Sequence, residues 1–266
     1  VSVPTYSPSK LSLFEQCPRR YFYVNIARVP GEPTVQHPAT FMGSRVHEAL
    51  EHLYSQLCAG RLLTGDELLG WFHRRWAERW TTEPASVAAW DSSARWESIG
   101  ADCLRRYYSH HHPFDADETL GVERFVEFPL DPEGTIRVRG FIDRLARTRD
   151  GMVRVHDYKT QEDVPTQEEV DSHEQLTFYE LAVRHELNHS GPVELVWHFV
   201  RAGVARTSRR TPEQLARVRA DAIRLVRDIE SRPAQEDRFE PKPSRLCQWC
   251  EHRKRCPASE GTGATP

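Results

Sequence analysis

The chain has 266 residues, 38% hydrophobic and 28% charged, with a mean hydropathy of −0.65, which excludes a disordered chain, a membrane protein and a small disulfide scaffold. No apolar run approaches the roughly 20 residues of a membrane span, and no basic stretch followed by an apolar one opens the chain, so a cytoplasmic location is expected. The net charge of −3 argues against a uniformly basic nucleic-acid binder, yet Arg201 to Cys256 holds 15 Lys and Arg against 8 Asp and Glu. That is a local +7 set against −10 elsewhere, an asymmetry suited to gripping phosphates with one segment while keeping carboxylates free in another.

Ser7-Pro8-Ser9 predicts a helix start, and Leu11, Phe14, Tyr21 and Phe22 carry an amphipathic helix to about Val24. Residues 29–38 read as a Pro-rich loop. Helical patterns follow over 40–58, 65–80 and 91–108. Near Gly121 the pattern changes to strands at 123–130, 135–148 and 152–160, separated by turns at Asp131-Pro-Glu-Gly134 and Arg149-Asp150-Gly151. A helix is expected over 172–187, a fourth strand over 193–200, and a long helix over 211–229 opened by Thr211-Pro212. A proline-rich tail follows. This order predicts an α/β or α+β chain with a small central mixed sheet. It is read as one domain, with a helical insertion at 40–110 and a sheet core at 121–200.

The middle hairpin carries two aspartates. On a strand, residues two apart share a face, so Asp157 and Lys159 point one way and Tyr158 the other. A three-residue loop of Arg149, Asp150 and Gly151, glycine at the left-handed position, pairs Thr148 with Met152. In that register Asp143 lies opposite Asp157 on the same face. Bare carboxylates there repel, and Mg²⁺ or Mn²⁺ suits such an all-oxygen site. A two-residue loop at Asp150-Gly151 would put them on opposite faces, and two surface aspartates remain the plainer alternative. Phe141, Ile142 and Leu145 mark the strand as substantially buried.

Six cysteines stand at 17, 58, 103, 247, 250 and 256. Cys247, Cys250 and Cys256 have metal-site spacing, whereas Cys58 and Cys103 read as buried small hydrophobes. His110-His111-His112, ahead of Pro113, reads as a solvated helix end. Zinc modules usually pair two Cys-x-x-Cys knuckles, and here there is one, although His252 offers a substitute zinc ligand.

Gly140-Phe-Ile-Asp143 followed by Asp157-Tyr158-Lys159-Thr160 resembles the second and third motifs of the RecB-type nucleases of the PD-(D/E)XK superfamily. Gly43-Ser-Arg-Val-His47 resembles that family's first motif, and Gln175-Leu-Thr-Phe-Tyr179 its glutamine–tyrosine motif. Cys17 with Cys247, Cys250 and Cys256 resembles the split four-cysteine iron–sulfur motif of the AddB nuclease domain and the CRISPR-associated adaptation exonucleases. The resemblance implies a restriction-endonuclease-like α/β core, with a [4Fe-4S] cluster, zinc being the alternative, stapling 7–28 to 233–257. It implies Mg²⁺ or Mn²⁺ held by His47, Asp143, Asp157 and the Tyr158 carbonyl. Lys159 would orient the attacking water, with Gln175 and Tyr179 steadying the lysine or touching the substrate. Glu123 is a weaker candidate for a second metal.

The function implied is a metal-dependent DNA exonuclease acting on single-stranded DNA or DNA ends in repair or recombination, with a helicase or repair partner and no membrane. The alternatives are a non-catalytic DNA-binding iron–sulfur subunit and an RNA-processing metallohydrolase.

Overall fold

A computed structural model describes residues 3–32, 37–82 and 93–258. The described chain forms two compact units. The smaller takes in Val1–Val35, Glu127–Arg139 and Ala216–Pro266, and the larger Gln36–Val126 and Gly140–Leu215.

In the smaller unit a short strand β1 (Thr5–Tyr6) precedes α1 (Pro8–Gln16) and α2 (Pro18–Tyr21), and a π-helical turn spans Phe22–Ile26. Ser7 caps α1, its hydroxyl accepting the Lys10 N–H. The single helix expected here is broken at Cys17, which is extended (φ −160°, ψ 102°), because a residue before proline is pushed out of the helical region. Phe14, Tyr21, Phe22 and Phe239 form an aromatic core, with Phe22 and Phe239 centroids 5.3 Å apart.

The larger unit opens with three helices, α3 (Pro38–Cys58), α4 (Gly65–Thr82) and α5 (Ser93–His111). The expected first residues of the last, Asp91 and Ser92, lie outside the described residues. Phe41, Met42, Val46, Ala49, Leu50 and Leu53 make one stripe along α3 and are fully buried against Phe72, Trp76 and Leu104. Each large side chain so buried stabilises the unit by roughly 1.5–3 kcal/mol before entropy is counted.

The strands follow as β2 (Asp117–Pro129), β3 (Arg137–Thr148) and β4 (Val153–Lys159), then α6 (Gln167–Ser172), α7 (Gln175–Glu186), β5 (Val193–Phe199) and β6 (Val204–Ser208). Within the larger unit β3 and β4 are antiparallel, β4 and β5 parallel, and β5 and β6 antiparallel. The sheet is mixed. All seven residues of β5 are buried, as befits a central strand with both faces covered. The helix α8 (Pro212–Ser231) follows, and then three short 3₁₀ helices at Glu236–Arg238, Arg245–Trp249 and Arg253–Arg255.

The β3–β4 loop has three residues: the Thr148 N–H donates to the Met152 carbonyl at 2.9 Å and Gly151 has φ +89°. The ladder runs from Arg147↔Val153 to Arg144↔His156. On the face of β4 that carries His156 and Tyr158 lies a buried polar network. Arg144 stacks over the Tyr54 ring at 4.2 Å and donates to His156 at 2.9 Å, and His156 Nδ1 is 2.9 Å from His198 Nε2. Burial, then the Arg144 charge, holds both histidines well below their ordinary pKa.

Three readings are corrected here. Phe141 is 55% exposed although Ile142 and Leu145 are buried, so the first half of β3 is buried on one face only. Cys103 is buried as expected, but Cys58 is exposed. His111 is no solvated helix end, since its ring packs 4.2 Å from Tyr107 and 5.2 Å from His198, and burial pushes its pKa down to about 4.

Candidate active site

His47 reaches the sheet because α3 comes unusually close to the end of β4. A Cβ at Gly43, one turn before His47, would sit 2.7 Å from Thr160 Oγ1, so a larger residue would force the Thr160 side chain or the helix to shift. His47 Nε2 then lies 2.7 Å from the Tyr158 carbonyl oxygen, and Nδ1 lies 3.4 Å from Asp143 Oδ2. A carbonyl only accepts, which assigns the proton to Nε2 and leaves the Nδ1 lone pair toward the carboxylate. Burial lowers the His47 pKa and favours this neutral ring.

Asp143 stands just beyond the last paired residues of β3. Its Oδ2 accepts the Tyr158 N–H at 2.8 Å, so the side chain occupies the place of the next ladder bond. Burial first, and then the charge of Asp157, push its pKa up to about 7. Glu123 carries φ +43° within β2, a conformation costly for a residue with a Cβ and characteristic of functional sites. Its pKa is raised by burial and then by Asp143.

Ligand atoms of His47, Glu123 and Asp143 all lie within 4.8 Å of one another. Cis ligands of an octahedral Mg²⁺ at about 2.1 Å stand about 3 Å apart and trans ligands about 4.2 Å. One imidazole nitrogen and two carboxylates at this spacing fit a hard divalent ion with small inward movements.

Asp157 is 5% exposed. Its Oδ2 has no hydrogen bond, and Lys159 Nζ lies 2.7 Å away as an ion pair. Of the expected ligands, the structure gathers His47 and Asp143 with Glu123, while Asp157 turns its carboxylate to Lys159. The Tyr158 carbonyl faces His47. Gln175 and Tyr179 stand one turn apart on α7, and the Tyr179 pKa is raised by burial first, Gln175 opposing, and then by the charges of Asp157, Asp143 and Glu123. Gly140 admits this tyrosine, since a Cβ there would meet its ring at 2.8 Å. Both motif glycines are explained by close approach. Glu123 had little signal in sequence, because its role depends on a backbone kink and tertiary proximity.

In the smaller unit Cys17, Cys247, Cys250 and Cys256 line one cavity together with Arg19, Arg20 and His252. None of the four is in a disulfide. No three of the sulfurs lie within 4.8 Å of one another, so no closed metal site is formed by these atoms. His252 is buried, with Nδ1 unpartnered.

The sequence profile of the PD-(D/E)XK nuclease superfamily matches residues 5–257. This chain belongs to that superfamily. A crystal structure described as a "Putative exonuclease" from Eubacterium rectale aligns over 98% of this chain and 89% of its own, at 14% identity and a TM-score of 0.47. That likeness is too distant to carry a functional argument. No curated protein matches the chain. PD-(D/E)XK nucleases use divalent metal ions, and the His47–Glu123–Asp143 group supplies suitable donors. No helix among the described residues is long and apolar enough to cross a membrane.

Proposed function

We propose that this chain is a Mg²⁺- or Mn²⁺-dependent deoxyribonuclease, acting as an exonuclease on single-stranded DNA or DNA ends. The observation that carries the reading is the convergence of His47, Glu123 and Asp143 within 4.8 Å, beside the Asp157–Lys159 ion pair, in a chain of nuclease family.

His47 through Nδ1, Glu123 and Asp143 would hold the ion, with Asp157 as a further donor, while the Tyr158 carbonyl accepts the His47 Nε2–H and fixes the ring. When bound, the ion supplies Lewis acidity toward a phosphate oxygen and lowers the pKa of a water. Lys159, anchored by Asp157, presents a positive charge where negative charge grows on phosphorus. Tyr179, steadied by Gln175, borders the carboxylates and contacts the substrate backbone. The N–H of Tyr158 fixes the Asp143 carboxylate, so the donor set is oriented before substrate arrives.

We further propose that Cys17, Cys247, Cys250 and Cys256 ligate a [4Fe-4S] cluster. Their convergence on one cavity from the two ends of the chain supports this, as do the neighbouring arginines, whose charge offsets thiolates. Tetrahedral zinc at 2.3 Å would draw four sulfurs to about 3.8 Å from one another, tighter than they stand. A cluster spreads its ligands wider.

Incubating the protein with Mn²⁺ and matched DNA and RNA oligonucleotides, single- and double-stranded, tests the substrate assignment. Shortening of single-stranded DNA from an end is expected. Cleavage of RNA alone would replace the reading with the RNA-processing one, and no cleavage of either would leave the non-catalytic alternative.

A further inference from the structure

Two large apolar side chains stand in the open beside the carboxylates. Phe125 is 49% and Phe141 55% exposed, and their ring centroids are 5.4 Å apart at 61°. Phe141 lies two residues before Asp143 on β3, so both side chains leave the same face of the strand. Phe125 lies two residues after Glu123 on β2, the strand paired with β3. Two strand residues span about 6.6 Å, so the rings begin within a nucleotide's reach of the candidate metal group. Exposed phenyl rings are costly in water unless a partner covers them.

We propose that Phe125 and Phe141 form a stacking platform for an unpaired nucleobase next to the scissile phosphate. The inference rests on the nuclease reading and deepens it, because it names the feature that selects single strands. A phosphate held by the ion that His47, Glu123 and Asp143 would bind brings its neighbouring base onto the rings. In a duplex that base is already stacked and paired, so its flat face is unavailable. Every base has such a face, so the platform favours single strands without reading sequence.

The test measures binding with Ca²⁺ in place of Mn²⁺, a hard ion that fills oxygen-donor sites while cleavage is held back, using fluorescent thymidine oligomers and an abasic oligomer of equal length. Wild type should bind the thymidine strand about tenfold to a hundredfold more tightly than the abasic strand. The double variant Phe125→Ala/Phe141→Ala should lose most of that preference and keep its abasic affinity and its melting temperature. Phe125→Tyr/Phe141→Tyr, which retains flat rings, should keep the preference. With Mn²⁺, the alanine variant should show a raised KM on single-stranded DNA and a nearly unchanged kcat.

A base preference that survives in the alanine variant overturns the platform, and so does its absence from a wild-type protein that cleaves DNA. Dissociation of a wild-type dimer by Phe141→Ala also overturns it, assigning the rings to self-association. A wild type that neither binds nor cleaves any DNA removes the nuclease reading, and the platform falls with it.

Discussion

His47 Nε2 meets the carbonyl oxygen of Tyr158 at 2.7 Å, and this contact decides which face of the imidazole remains chemically available. The bound proton occupies Nε2, and the Nδ1 lone pair looks toward Asp143 at 3.4 Å. A backbone atom of the strand that carries Asp157 thereby sets the tautomer of a residue 111 positions earlier in the chain. His47→Ala should weaken Mn²⁺ binding at least about tenfold, the scale seen when a supporting metal contact is lost. A Mn²⁺ titration followed by electron paramagnetic resonance reads this directly, and an unchanged titration would make His47 structural.

Asp143 makes the metal-free protein less stable at high pH. Its folded pKa, about 7, lies above the ordinary 3.8, so the stability its protonated form supplies is complete below about pH 4. That stability is lost as the pH rises through 7. Asp143→Asn keeps an oxygen for the Tyr158 N–H and removes the charge. Without metal it should melt higher than wild type at pH 8 and no higher at pH 4, as scanning calorimetry in EDTA would show. Added Mn²⁺ should stabilise wild type and leave the variant unmoved.

His156 and His198 act in the opposite sense. Both are buried and held well below 6.5, so their contribution is complete above that value and declines as the pH falls and the unfolded chain takes up their protons. Arg144 and Arg154 face them with positive charges that deepen the effect, and Asp117, 3.7 Å from His156 Nε2, opposes it. Urea unfolding should show stability falling between about pH 7 and pH 5. His198→Gln, which still offers His156 a hydrogen-bond partner, should decline less steeply.

The parts of the site legible in sequence were those set by local rules. The β3–β4 register followed from a glycine at the left-handed position of a three-residue loop, and Gly151 is there at φ +89°. The spacing of Gly43 from His47 was visible as a pattern, but its reason, Thr160 at 2.7 Å, is tertiary. Phe141 was misread because hydrophobicity alone says nothing about which face of a half-buried strand a residue takes. β6 was missed because Val204 to Ser208 carries little apolar signal: its burial alternates, but the one fully buried residue is Ser208. The break at Cys17 was readable from Pro18, and the helical stripe of Leu11, Phe14, Tyr21 and Phe22 masked it.

The cysteine cavity makes a separate prediction. Protein purified without oxygen should be brown, absorbing near roughly 400 nm as thiolate-bound iron does. Cys250→Ser should bleach the colour and lower the melting temperature, because metal binding by four thiolates is coupled to folding. A colourless protein with one zinc per chain would contradict the cluster and leave the nuclease reading intact.

Lys159 is the direct test of the central claim, since its amine, 2.7 Å from Asp157, has no assigned part in holding the metal. Single-turnover cleavage of single-stranded DNA with saturating Mn²⁺ should be compared for wild type, Lys159→Ala and Asp157→Ala, with DNA affinity measured alongside in EDTA. Both variants should lose cleavage by at least about a hundredfold while binding DNA within about threefold of wild type. Cleavage at the wild-type rate by either variant would contradict the assignment of this site as the catalytic centre.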